Sequence, residues 1–84
     1  MDIVIVFTSY YFADKLDKIL TAQGIAFKLI AVPPEISDAC GMAIRIQPSL
    51  IDTVKAIMKD NHISPSHIYW YTRGEEPIVY KGSQ

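Results

Sequence analysis

Eighty-four residues, half of them hydrophobic, suffice for one domain that buries roughly 60% of the surface its unfolded chain exposes, and leave no room for a second core. Eight Lys and Arg against nine Asp and Glu give a net charge of -1 with no charge blocks, which argues against a nucleic-acid partner held by its phosphates. One cysteine excludes an internal disulfide, and no apolar run approaches the ~20 residues of a membrane span, so a cytoplasmic protein without membrane contact is expected.

Residues 3–7 (IVIVF) are apolar and β-branched and stop at Thr8 and Ser9, predicting a buried central strand. Thr8 or Ser9 then caps a helix over residues 9–22. Its apolar positions Phe12, Ala13, Leu16, Ile19 and Leu20 recur at helical spacing, opposite Asp14, Lys15, Asp17 and Lys18. Gly24 supplies the stop. Residues 25–32 read as a second strand, closed by Pro33-Pro34 because neither proline can donate to a ladder.

Met42, Ile44 and Ile46 alternate with Ala43, Arg45 and Gln47, giving a third strand. Pro48 and Ser49 open a second helix, whose stripe is Leu50, Ile51, Val54, Ile57 and Met58, and Asn61 and His62 close it. Residues 67–73 form a fourth strand, and Gly74-Glu75-Glu76-Pro77 turns the chain toward a short edge strand over residues 78–80. The order βαββαβ predicts an α+β, ferredoxin-like domain over residues 1–73. Its four-stranded antiparallel sheet carries both helices on one face, and residues 74–84 form a tail or edge strand.

In the usual strand order 4-1-3-2, the second loop, the first helix start and the entry to the fourth strand share one end of the domain. Cys40 falls in that loop, between Ala39 and Gly41, and a small-residue setting of this kind suits a reactive thiol better than a packing one. Around it Gly41, Ser37, Glu35, Thr8 and Ser9 are the candidate binding and supporting residues. Glu35 and Asp38 would oppose thiolate formation, and the positive end of the first helix would favour it. His62 and His67 are candidate acids or bases at the same end.

The bland alternatives are an idle loop cysteine, a histidine closing a helix and a histidine opening a strand. Cys40, His62 and His67 sit on three elements without ligand spacing, so no metal site and no cofactor are expected. Glycine-rich phosphate loops, HExxH and GxSxG are absent, so the chain does not read as a stand-alone enzyme. Tyr10, Tyr11, Tyr69, Trp70, Tyr71 and Tyr80 form an aromatic set. Alternation sends Trp70 one way and Tyr69 with Tyr71 the other, so at least one group falls on the sheet face without helices, where a partner, or a homodimer through strand four or the tail, would cover it.

The segment Pro33, Glu35, Ile36, Ser37, Cys40, Gly41, followed by an alternating strand, resembles that of the small bacterial selenium/sulfur carrier-like family, and the resemblance extends over residues 3–71. It implies a protein that transiently holds sulfur or selenium on Cys40, beside Gly41, between donor and acceptor proteins. The tail after Arg73 departs from the family pattern, and the Cys-Pro motif of other sulfur relay proteins is missing. The rival reading is a non-catalytic interaction or ligand-sensing module that uses the aromatic sheet face, with Cys40 incidental.

Overall fold

A computed structural model describes residues 1–36 and 41–81. In chain order it contains β1 (Asp2–Phe7), α1 (Tyr10–Ala22), β2 (Lys28–Ala31), β3 (Met42–Ile46), α2 (Ile51–Asp60), β4 (Pro65–Tyr71) and β5 (Ile78–Val79). The strands form one antiparallel sheet in the order β2-β3-β1-β4-β5. This is the expected 4-1-3-2 arrangement, with the short edge strand added outside β4.

β1 lies at the centre because it is apolar on both faces, and Ile3, Val4, Ile5, Val6 and Phe7 are all fully buried. Ile3, Ile5 and Phe7 face the helices. There they join Ala13, Leu16 and Leu20 of α1, Ile51, Val54 and Met58 of α2, and Ile44 and Ile46 of β3 in the main core. Val4 and Val6 face the other way and join Ala43, Tyr71 and Ile36 in a second, smaller cluster. No described helix is long and apolar enough to cross a membrane.

Both helices end the same way with different residues. Gly24 takes a left-handed backbone (φ 69), and the N–H groups of Gly24 and Ile25 bond the carbonyls of Thr21 and Leu20. His62 takes the same conformation (φ 56), with His62 and Ile63 donating to Lys59 and Met58. Asn61 adds a side-chain bond of 2.8 Å to the Ile57 carbonyl. The buried Ile63 beside the buried Met58 completes this second terminus, so His62 stands where glycine is usual.

Several boundaries differ from those read in the sequence. Residues 25–27 are not strand: after the left-handed turn at Gly24, Ile25 and Phe27 pack on the core as a connector, and β2 begins only at Lys28. β4 begins at Pro65 instead of residue 67, since a proline is tolerated at the first position of a strand, and it ends at Tyr71. Pro48–Leu50 forms a separate 3-10 turn before α2. Ser9 occupies the N-cap position of α1, but its side chain makes no capping bond, and Phe12 N–H bonds the Ser9 carbonyl instead. Strand four pairs with β1 along its length and with β5 over Ile68–Trp70, so over that stretch the tail strand forms the outer edge.

Candidate functional site

The β2–β3 connection is closed at its base by a hydrogen bond of 3.0 Å from Val32 N–H to the Gly41 carbonyl. Gly41 has φ +85, a conformation open to glycine, and an added Cβ there would meet no atom of the described residues within 4 Å. Backbone conformation, not lack of space, is therefore why glycine suits this entry to β3. The predicted site residues Ser37 and Cys40 lie outside the described residues, as do residues 38–39.

What the structure does describe is how the first half of the connection is held. Ile36 N–H bonds the Pro33 carbonyl at 2.9 Å, making a tight turn that lays Ile36 across the helix-free face, where it is 5% exposed against Val4, Val6, Ala43 and Tyr71. The Glu35 carboxylate accepts a hydrogen bond from the Tyr71 hydroxyl (3.2 Å) through one oxygen and from Gly74 N–H (2.9 Å) through the other. Glu35 thus fastens the β2–β3 connection to the last residue of β4 and to the turn that follows it. The sequence predicts this connection at the Thr8 end of the domain. Its base is there, but residues 33–36 cross the sheet face.

The electrostatics of this fastening agree from both sides. Hydrogen bonds from its own backbone N–H and from Gly74, joined by those from Tyr71 and by the charge of Arg73, hold the Glu35 carboxyl below its ordinary 4.5 against a partial desolvation. Desolvation first, then the bond and charge of Glu35, push the Tyr71 phenol above its ordinary 10.0. Arg45 lies 5.6 Å from the centre of the Tyr71 ring and donates to Asp2 at 2.7 Å. Tyr71 is therefore gripped at its hydroxyl by Glu35 and across its ring by Arg45.

The remaining predicted residues are divided. Thr8 and Ser9 are exposed at the end of β1, and extending the β1/β3 register past Val6 and Ala43 brings Gly41 level with Thr8. His67 is exposed opposite Val6 on β4, about two residues of strand rise (~7 Å) below that level. Its ring stacks on Tyr69 with centroids 5.8 Å apart, and Ser66 Oγ lies 3.0 Å from its Nδ1. His62 is an exposed helix terminator at the end of α2, and its backbone role accounts for its place in the sequence. Among the described residues no three His, Cys, Asp or Glu side chains gather as metal ligands. An open cavity of about 350 Å³, lined by Asp2, Phe27, Lys28, Arg45 and Gln47, lies toward the opposite end of the sheet from Gly41.

Alternation separates the strand-four aromatics as expected: Trp70 lies on the helix side, and it is Tyr69 and Tyr71 that point to the helix-free face. There Tyr71 is buried and Tyr69 half-buried, so the chain's own connection covers much of the aromatic surface expected to await a partner. The aromatics left most exposed are Tyr10 and Tyr11 at the start of α1.

Residues 2–70 match the family described as "Putative Se/S carrier protein-like". The chain belongs to that family. No curated protein and no solved structure matches the chain. The carrier-like match takes in the whole β2–β3 connection and stops one residue before Tyr71. The two groups that hold Glu35 therefore lie beyond the part of the chain that the carrier-like family accounts for.

Sequence reasoning picked out Glu35 without its partners. Tyr71 and Gly74 were missed as site residues because each is remote from Glu35 in sequence. The available signal was the strand alternation that puts Tyr71 on the same face as the connection.

Proposed function

We propose that this chain is a carrier that takes a sulfane sulfur or selenium onto Cys40 and passes it to an acceptor protein. The observation that carries the reading is the family match over residues 2–70, which includes the cysteine segment. In the sulfur case the Cys40 thiolate attacks the outer sulfur of a donor persulfide. A new S–S bond forms on Cys40, the donor's S–S bond breaks, and the donor cysteine leaves with the electron pair as a thiolate. Transfer to an acceptor thiolate repeats the exchange with Cys40 as the leaving group. A donor selenosulfide reacts in the same sense, with selenium as the atom attacked. Neither step changes the total oxidation state, so the chemistry calls for no resident cofactor.

In this reading Gly41 and Ser37 flank the transferring sulfur, Glu35 holds the connection down, Thr8 and Ser9 lie level with its base, and His67 is the nearer of the two histidines to serve as acid or base. The donor and acceptor are cytoplasmic proteins that reach Cys40 directly. The first test is thiol reactivity in the folded state. With an aromatic disulfide near neutral pH, the native protein releases one equivalent of the aromatic thiol rapidly, and Cys40→Ser releases none. A thiol that reacts only after unfolding would defeat the carrier reading and leave an interaction module with an incidental cysteine.

A further inference from the structure

We propose that the outer edge of β5 is the contact between two copies of this chain, paired antiparallel about Val79. The proposal is independent of the carrier reading and rests on the edge itself. Ile78 and Val79 are 58% and 48% exposed, although they belong to a strand and point to opposite faces of the sheet. The other sheet edge, β2, differs. Its Leu29 and Ile30 are half-buried, and it begins with the exposed Lys28, a residue type that guards edges against pairing.

The direction in which the backbone groups point fixes the register. Tyr80 N–H donates to the Ile68 carbonyl at 2.8 Å, so Tyr80 turns its backbone groups toward β4. The alternation of an antiparallel ladder then turns those of Val79 outward, together with the Pro77 carbonyl and Lys81 N–H. Two such edges related by a two-fold axis normal to the sheet can bond Val79 to the partner's Val79 in both directions. Lys81 N–H then bonds the partner's Pro77 carbonyl. The missing N–H of Pro77 costs nothing inside the chain, because that position faces outward.

Side chains agree with this register. Directly opposed residues share a face, so Ile78 meets the partner's Tyr80 on the helix side, and the two Val79 side chains meet on the other side. Trp70 and Tyr80, with ring centroids 5.5 Å apart, already extend the core to that margin. Charge selects the direction. β5 is preceded by Glu75 and Glu76 and followed by Lys81, so antiparallel pairing brings unlike ends together, whereas parallel pairing would set like against like. The product is one continuous sheet with all helices on the same side.

The test is sedimentation equilibrium of the whole chain up to about 1 mM, where a contact worth about 4 kcal/mol is half occupied. The wild type is expected to form a dimer and nothing larger. Val79→Pro removes the central N–H from the outer edge and should weaken dimerisation at least tenfold with an unchanged far-ultraviolet spectrum. Lys81→Glu, a change at an exposed position, should also weaken it, and adding Glu75→Lys and Glu76→Lys should restore it. Ala31→Pro on β2 should leave the dimer intact. A wild type that stays monomeric at the highest concentration would overturn the proposal. So would a dimer that survives Val79→Pro, one abolished by Ala31→Pro, or failure of the charge exchange to restore it.

Discussion

The two faces of this sheet are built to different standards. The helix-covered face carries a core drawn from β1, β3 and both helices, closed by many aliphatic side chains that need no polar partner. On the other face the described residues form a smaller cluster, Val4, Val6, Ile36, Ala43 and Tyr71, to which the first half of the β2–β3 connection contributes Ile36. One carboxylate, Glu35, joins that connection to Tyr71 and Gly74. The first face determines whether the chain folds, and the second whether the segment leading to Cys40 is held. If the two faces are independent, the second should open locally without loss of the first.

The comparison breaks most readily on the helix side. Leu16→Ala removes a fully buried side chain between α1 and the sheet and should cost about 3–5 kcal/mol in denaturant unfolding, enough to threaten folding of a chain this small. Ile36→Ala should cost about 2 kcal/mol, the low end for such a truncation, because a surface connection can settle over the gap. Equal losses at the two positions would mean that the faces are not distinct.

The helix termini offer a sharper control. Gly24→Ala should lose about 1 kcal/mol by forcing a side chain into a left-handed backbone, and His62→Gly should gain about 0.5–1 kcal/mol by relieving one. Both changes act on the helical layer. Neither should alter the amide of Gly74, and a clear shift of that resonance in either variant would argue that the two faces are coupled.

The smallest effect on global stability is expected from Glu35→Gln, yet it should give the largest effect on the latch that Glu35 makes with Tyr71 and Gly74. Gly74 amide exchange should quicken at constant pH while amides of α1 and α2 hold. The pH dependence has a definite sign. The Glu35 carboxyl is lowered in the folded state, so its contribution is present above the ordinary 4.5 and is lost as pH falls through the lower folded value. The Tyr71 phenol is raised, so its contribution is present below 10.0 and is lost as pH rises through the higher folded value. The Gly74 amide shift should therefore be flat across neutral pH and move in acid, and Glu35→Gln should abolish the acid step.

Much of the scaffold was legible in the sequence, because period and punctuation agree there. β1 is too apolar to lie anywhere but the centre, the stripes of α1 and α2 face one side, and Gly24 and Pro33-Pro34 stop their elements as expected. Ile25 and Phe27 misled because an apolar run reads alike whether it pairs in a ladder or packs as a connector. His62 was legible as the close of α2, but the left-handed angle by which it closes the helix was not, because sequence shows its imidazole and not its backbone conformation. The latch was hidden for a different reason. Glu35 meets Tyr71 across 36 positions, and only the folded sheet brings a half-buried acid against a phenol and a turn amide. Cys40 lies outside the described residues, and its role as the carrier thiol is a proposal that rests on its small neighbours and the family segment.

The most direct test of the account is the intact mass of the folded protein after incubation with a cysteine desulfurase and cysteine, before and after reductant. The account predicts one added sulfur atom that reductant removes, localised to Cys40 and absent from Cys40→Ser. A mass that does not change in the native protein, or sulfur that persists in Cys40→Ser, would contradict it.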